Sequence, residues 1–163
     1  MTTETIPTET RVIEQTADHV NRAIRRQLEA NIYHYARHPE QIDERLRELD
    51  HEWDVERVLE TNAGVLTLSA MALGLIFKPL RILPAVVAGF LVQHAVQGWC
   101  PPVPVVRRMG VRTTYEIALE RYALKALRGD FKGVESEQDP CIKSAKALAA
   151  ACANGSPFQS DLL

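Results

Sequence analysis

The sequence predicts an all-α protein, a membrane helical hairpin flanked by cytosolic amphipathic helices, and three observations lead there. Two uncharged apolar stretches, Thr61–Phe77 and Ile82–Val106, lie back to back with only Lys78-Pro79-Leu80-Arg81 between them. Charge is divided sharply: residues 11–60 and 107–146 are rich in it, whereas residues 61–106 carry only Lys78 and Arg81. Elsewhere the apolar positions recur at helical spacing, and no alternating strand pattern survives.

Taken in order, residues 1–16 are Thr- and Glu-rich and read as a flexible tail, without the apolar core of a secretory signal. Residues 17–60 read as a cytosolic helical pair. Asp18 is placed to cap the first helix, in which Val20, Ile24, Leu28, Ile32 and Tyr35 share a face up to about Arg37; His38-Pro39 ends it. The second helix carries Ile42, Leu46, Leu49 and Trp53 as a coiled-coil-like stripe and is expected to continue through Val58 and Leu59 toward the hairpin.

Residues 61–112 read as the two-span hairpin, with spans at about 61–77 and 82–100. The first is about 25 Å long as a helix at ~1.5 Å per residue, the short end of the spanning range. In the second, Pro84 occupies the first turn, where a missing N–H costs little, and Trp99 stands where an interfacial aromatic belongs. Arg45, Arg47 and Arg57 precede the hairpin and Arg107, Arg108 and Arg112 follow it, which favours both termini in the cytoplasm. Residues 113–163 read as a cytosolic helical tail: Thr113 and Glu116 form a capping box, Gly129 stops the helix, and Asp139-Pro140 starts an Ala-rich helix that ends at Asn154-Gly155.

The formal net charge of -2 gives no reason to expect nucleic acid as a partner. Three cysteines with no CxxC pair argue for reduced thiols on the cytoplasmic side. No phosphate loop, nucleophile elbow or dinucleotide fingerprint is present, and no cofactor is expected. Cys100 is the candidate thiol, because Pro101 and Pro102 turn the chain out of the helix there and Arg107 and Arg108 are close enough in sequence to stabilise a thiolate. His94, with Gln93 and Gln97, is an intramembrane polar group, which is costly in lipid and so invites either a functional or a pairing role. His34 and His38 share a helical face at metal-ligand spacing but lack a third ligand; a solvated face is the expectation. Small residues four apart, Ala70 with Gly74 and Ala85 with Gly89, allow close helix packing in lipid.

The run Asn62-Ala63-Gly64, two short apolar helices, Gly98-Trp99-Cys100-Pro101 and then Arg108-Met109-Gly110-Val111-Arg112-Thr113 resembles the YgaP-like inner-membrane domain family. The match covers residues 60–113. Some members of that bacterial family carry a rhodanese sulfurtransferase domain before the hairpin; this chain has a helical segment there, with no rhodanese active-site loop, and Pro102-Val103-Pro104 stands where the family commonly has an aromatic residue. The resemblance implies a two-helix domain in a bacterial inner membrane.

The function expected is a non-enzymatic anchor or assembly module that sits in the lipid bilayer and forms a homo-oligomer. Two alternatives follow from the same residues. One is a thiol or sulfane-sulfur relay, or a redox sensor, using Cys100 with a soluble sulfurtransferase partner. The other is an oligomeric small-anion conduit lined by His94 and the exit arginines.

Overall fold

The computed structural model describes residues 9–152, and every regular element among them is helical. The helices are α1 (Arg11–Glu14), α2 (Asp18–Arg37), α3 (Ile42–His51), α4 (Val55–Gly74), α5 (Leu83–Gln97), α6 (Val103–Arg108), α7 (Thr114–Arg128) and α8 (Pro140–Ala151). Short 3-10 turns at Pro39–Gln41 and Lys78–Ile82 precede α3 and α5. The chain forms two compact units. One contains the described residues up to Arg25 together with Trp53–Glu116; the other contains Arg26–Glu52 and the described residues from Ile117 onward.

In the first unit, α4 and α5 form a helical hairpin. Its tip is fastened by Arg81, whose Nε donates to the Gly74 carbonyl at 2.8 Å and so satisfies one of the carbonyls left open at the end of α4. The hairpin's base rests on a small core of Val12, Val55, Leu59, Cys100, Val103 and Val106. The loose tail expected over residues 1–16 is corrected here for its described part. Arg11–Glu14 is helical and Val12 is buried in that core, because one apolar side chain in a polar run suffices to dock a single turn; residues 1–8 lie outside the described residues.

The stripe expected to run from Ile42 into the hairpin is interrupted. α3 ends at His51, Glu52 turns extended, and Asp54 caps a new helix by accepting the Arg57 N–H at 2.8 Å. Trp53 therefore leaves the stripe and lies under the Arg57 guanidinium, 4.5 Å from its ring centroid. The local signal was an Asp just before an apolar helical run.

The second unit buries Ile42, Leu46, Leu49, Ile117 and Leu124, with Tyr35 packed against them. Two charged groups are buried among these helices, each with partners. Glu120 accepts from Arg45 Nε at 2.9 Å and from Asn31 Nδ2 at 3.3 Å. Lys125 donates to the last carbonyls of α8, at 3.2 Å for Ala150 and 3.3 Å for Ala151, and also to that of Cys152. Burial holds the Lys125 ammonium below its ordinary pKa range. Gly129 stops α7 as expected, with its N–H on the Lys125 carbonyl at 3.0 Å. Asp139 caps α8 through the N–H groups of Cys141 and Ile142; the expected stop at Asn154-Gly155 lies outside the described residues.

One helix in the described chain, Lys78–Gln97 counted with its opening turn, is long and apolar enough to cross a membrane, and only 11% of it is buried. The helix of the first apolar stretch is shorter in its uncharged part, because α4 starts at Val55 with Glu56, Arg57 and Glu60 and ends at Gly74, with Leu75–Phe77 already in the turn.

Candidate functional site at the base of the hairpin

The polar groups of the first unit gather where the hairpin begins and ends. Glu56 is in the first turn of α4 and His94 in the last turn of α5. His94 Nε2 lies 2.6 Å from Glu56 Oε2. A carboxylate only accepts, so Nε2 carries the proton and donates. The other Glu56 oxygen accepts from Arg11 at 3.1 Å, which ties α1 to the same carboxylate. His94 is buried, and its Nδ1 has no hydrogen-bond partner among the described residues.

Gly98 allows this arrangement for two reasons. It ends α5 at φ +75°, with its N–H on the His94 carbonyl at 2.8 Å, in a conformation side chains rarely adopt. A Cβ there would also stand 2.6 Å from the Arg11 carbonyl carbon and oxygen, so α1 approaches only because position 98 has none.

The adjacent exit arginines Arg107 and Arg108 have different environments. Arg107 is fully buried and Arg108 is exposed. All five Arg107 N–H donors are engaged: Nε on Thr16 Oγ1 at 3.2 Å, Nη1 on the Val111 carbonyl at 3.0 Å and Glu116 Oε2 at 2.6 Å, and Nη2 on Asn21 Oδ1 at 3.1 Å and Glu116 Oε1 at 2.8 Å. Glu116 also closes the capping box expected at the start of α7. It accepts the Thr113 N–H at 2.8 Å while its own N–H bonds Thr113 Oγ1 at 3.2 Å. Although burial acts the other way, the Arg107 and Thr113 donors hold the Glu116 carboxyl below the usual carboxylate range.

Cys100 is 4% exposed and belongs to the core at the hairpin base, where apolar surroundings disfavour a thiolate. The charge stabilisation expected from Arg107 is directed elsewhere, since that guanidinium is occupied by Glu116 and its neighbours. The other thiols differ, Cys141 being exposed and Cys152 half-buried.

The remaining sequence candidates separate. Ala70 and Gly74 face inward, with a Gly74 Cβ set to meet Arg81 Cγ at 3.2 Å, whereas Ala85 and Gly89 face outward and nothing lies within 4 Å of a Gly89 Cβ. Gln93 is half-buried and Gln97 exposed. The His34 and His38 rings lie 4.7 Å apart between centroids, tilted by 38°, on an exposed surface, and His34 also contacts Gln41. No group of three His, Cys, Asp or Glu residues among the described residues is arranged to hold a metal ion.

Sequence reasoning singled out His94 but missed its partner. Glu56 and Glu60 are the only acids in α4 and α5 has none, so the need of a buried imidazole for a carboxylate narrows the choice to two. Thr16, Asn21 and Glu116, which complete the Arg107 cluster, carried no such signal as ligands. Chemically, these groups fasten α1, α4, α5, α6 and the start of α7 together. The His94–Glu56 bond joins α5 to α4, and the thiol nearest to it in the chain, Cys100, is buried in the apolar core.

No family model, curated protein or solved structure matches the chain.

Proposed function

We propose that the chain is a small anchor and assembly module of the YgaP-like type, held in a bacterial inner membrane by the α4–α5 hairpin and self-associating through it. The observation that carries this reading is the exposure of the hairpin's apolar side chains. Leu68, Met71, Val92 and Val96 are 69%, 59%, 65% and 73% exposed, on helices whose facing sides are already packed. In water such a surface would be an association liability; lipid covers it at no cost. Charge is consistent with the same reading, because Lys78 and Arg81 lie at the tip of the hairpin and the charged residues Arg57, Glu60, Arg107 and Arg108 lie near its base, with none between.

The anchor reading is favoured over the thiol relay by the burial of Cys100 and by the commitment of Arg107 to Glu116. It is favoured over an anion conduit because His94 is already bonded to a carboxylate. Both termini are read as cytoplasmic.

Ala85 and Gly89, on the open face of α5, are the proposed contact between copies. Crosslinking in native membranes tests this. The parent chain is expected to give a discrete homo-oligomer and Gly89→Leu to reduce it several-fold, since leucine there meets nothing within its own chain. An unchanged crosslinking pattern would remove that face from the interface, and a strictly monomeric parent would remove self-association.

A further inference from the structure

An apolar groove of about 530 Å³ runs along the first unit, bounded by α4, α5 and the start of α6. Leu59, Ala63, Leu66, Val87, Phe90 and Leu91 line its walls. That volume lies within the range of clefts that hold small ligands, ~300–1,000 Å³. At its lower end Cys100, Pro101, Pro102 and Val105 complete the lining, and the only polar side chain besides the thiol is Asn62, whose amide is turned back onto the Val58 carbonyl at 2.7 Å. The groove therefore offers a ligand almost no hydrogen bonds along its length.

Charge appears just beyond that end. Arg108 lies three residues after the groove residue Val105 on the outer side of α6, and both are exposed, as is Met109. Unlike Arg107, Arg108 meets no carboxylate among the described residues. An apolar groove with an exposed cation three residues beyond its lining residue Val105, on the same short helix, fits an acyl chain with an anionic head.

We infer that the groove binds one acyl chain of an anionic phospholipid, with the headgroup phosphate on Arg108. The inference rests on the membrane reading, because the lipid is drawn from the bilayer around the hairpin. It goes beyond that reading by giving the protein a defined lipid site with a preferred headgroup charge. The short α6 then lies along the interface, with Val105 and Met109 toward the acyl region and Arg108 among the headgroups.

Trp99, next to Cys100, supplies the reporter, and Trp53→Phe leaves it as the only tryptophan. That protein is reconstituted in vesicles containing increasing fractions of phosphatidylglycerol or phosphatidylcholine with brominated acyl chains, which quench indole on contact. The phosphatidylglycerol is expected to reach half-maximal quenching at about a fivefold lower mole fraction, the preference expected for one arginine at an anionic surface. Arg108→Gln should bring the two lipids level, and Ala63→Phe, which fills the groove wall, should abolish the tight component for both. Equal quenching by the two lipids in the parent, or a preference that survives Ala63→Phe, would overturn the lipid site while leaving the membrane reading in place. Absence of quenching by either lipid would overturn the membrane reading and the site with it.

Discussion

His94 and Glu56, at opposite ends of the hairpin sequence, are joined by a 2.6 Å hydrogen bond between Nε2 and Oε2. The bond connects the last turn of α5 to the first turn of α4, so it closes the base of the hairpin as Arg81 closes the tip. Because His94 is buried, losing Glu56 leaves the imidazole without its partner, whereas losing His94 leaves Glu56 with Arg11 alone. His94→Leu and Glu56→Gln should each lower the melting temperature in detergent. The double variant should be little worse than the weaker single one, with a coupling of about 1–3 kcal/mol. Strictly additive losses would mean that the two side chains contribute independently.

Arg107 and Arg108 are adjacent in sequence, yet substitutions at them should behave very differently. Arg107→Lys cannot rebuild five directed donors and leaves Glu116 short of partners inside the fold; a loss of about 3 kcal/mol is expected. Arg108→Lys, on an exposed side chain, should stay within about 0.5 kcal/mol. Denaturant titration of both variants measures the contrast, and similar losses would contradict the buried network.

The same pair gives the fold an acid limit. The Glu116 carboxyl is held below its usual value of 4.5, so its stabilising contribution is complete above that value and is lost as the pH falls through the lower folded value. Glu116→Gln should be less stable than the parent at neutral pH, and the difference should shrink as the pH drops below about 4.5. A gap that stays constant down to pH 3 would show that ionisation of Glu116 has no part in it.

Much of the fold was legible because helical periodicity and end signals survive in the sequence. The faces of α2 and α3, the Thr113–Glu116 capping box and the Gly129 stop all follow from local spacing. The break at Glu52–Asp54 was hidden by the apolar spacing that runs across it, although Asp54 offered a capping signal. The site was less legible because its partners are far apart in the chain. Arg107 is bonded to Thr16 and Asn21 across most of the sequence, and His94 to Glu56 across the hairpin. Spacing also could not distinguish Arg107 from Arg108, or the inward Gly74 from the outward Gly89; packing makes those distinctions.

Cys100 and Cys141 should react at different rates. Cys100 is in the apolar core and Cys141 on the exposed first turn of α8. Since the accessible thiolate is the reacting species, Cys141 should alkylate about tenfold faster or more near neutral pH in mild detergent. Faster labelling of Cys100 would reopen the thiol-relay reading, because it would require the base of the hairpin to expose that sulfur.

Extraction from membranes tests the hairpin's location most directly. The Lys78–Gln97 helix and the exposed apolar faces beside it leave a surface that only lipid or another apolar surface can cover. Membranes containing the protein are washed with alkaline carbonate and then with high salt, and pellet and supernatant are compared. The protein is expected to stay in the pellet through both washes and to enter solution only with detergent. Full recovery in the supernatant without detergent, as a dispersed folded protein, would contradict membrane insertion of the hairpin.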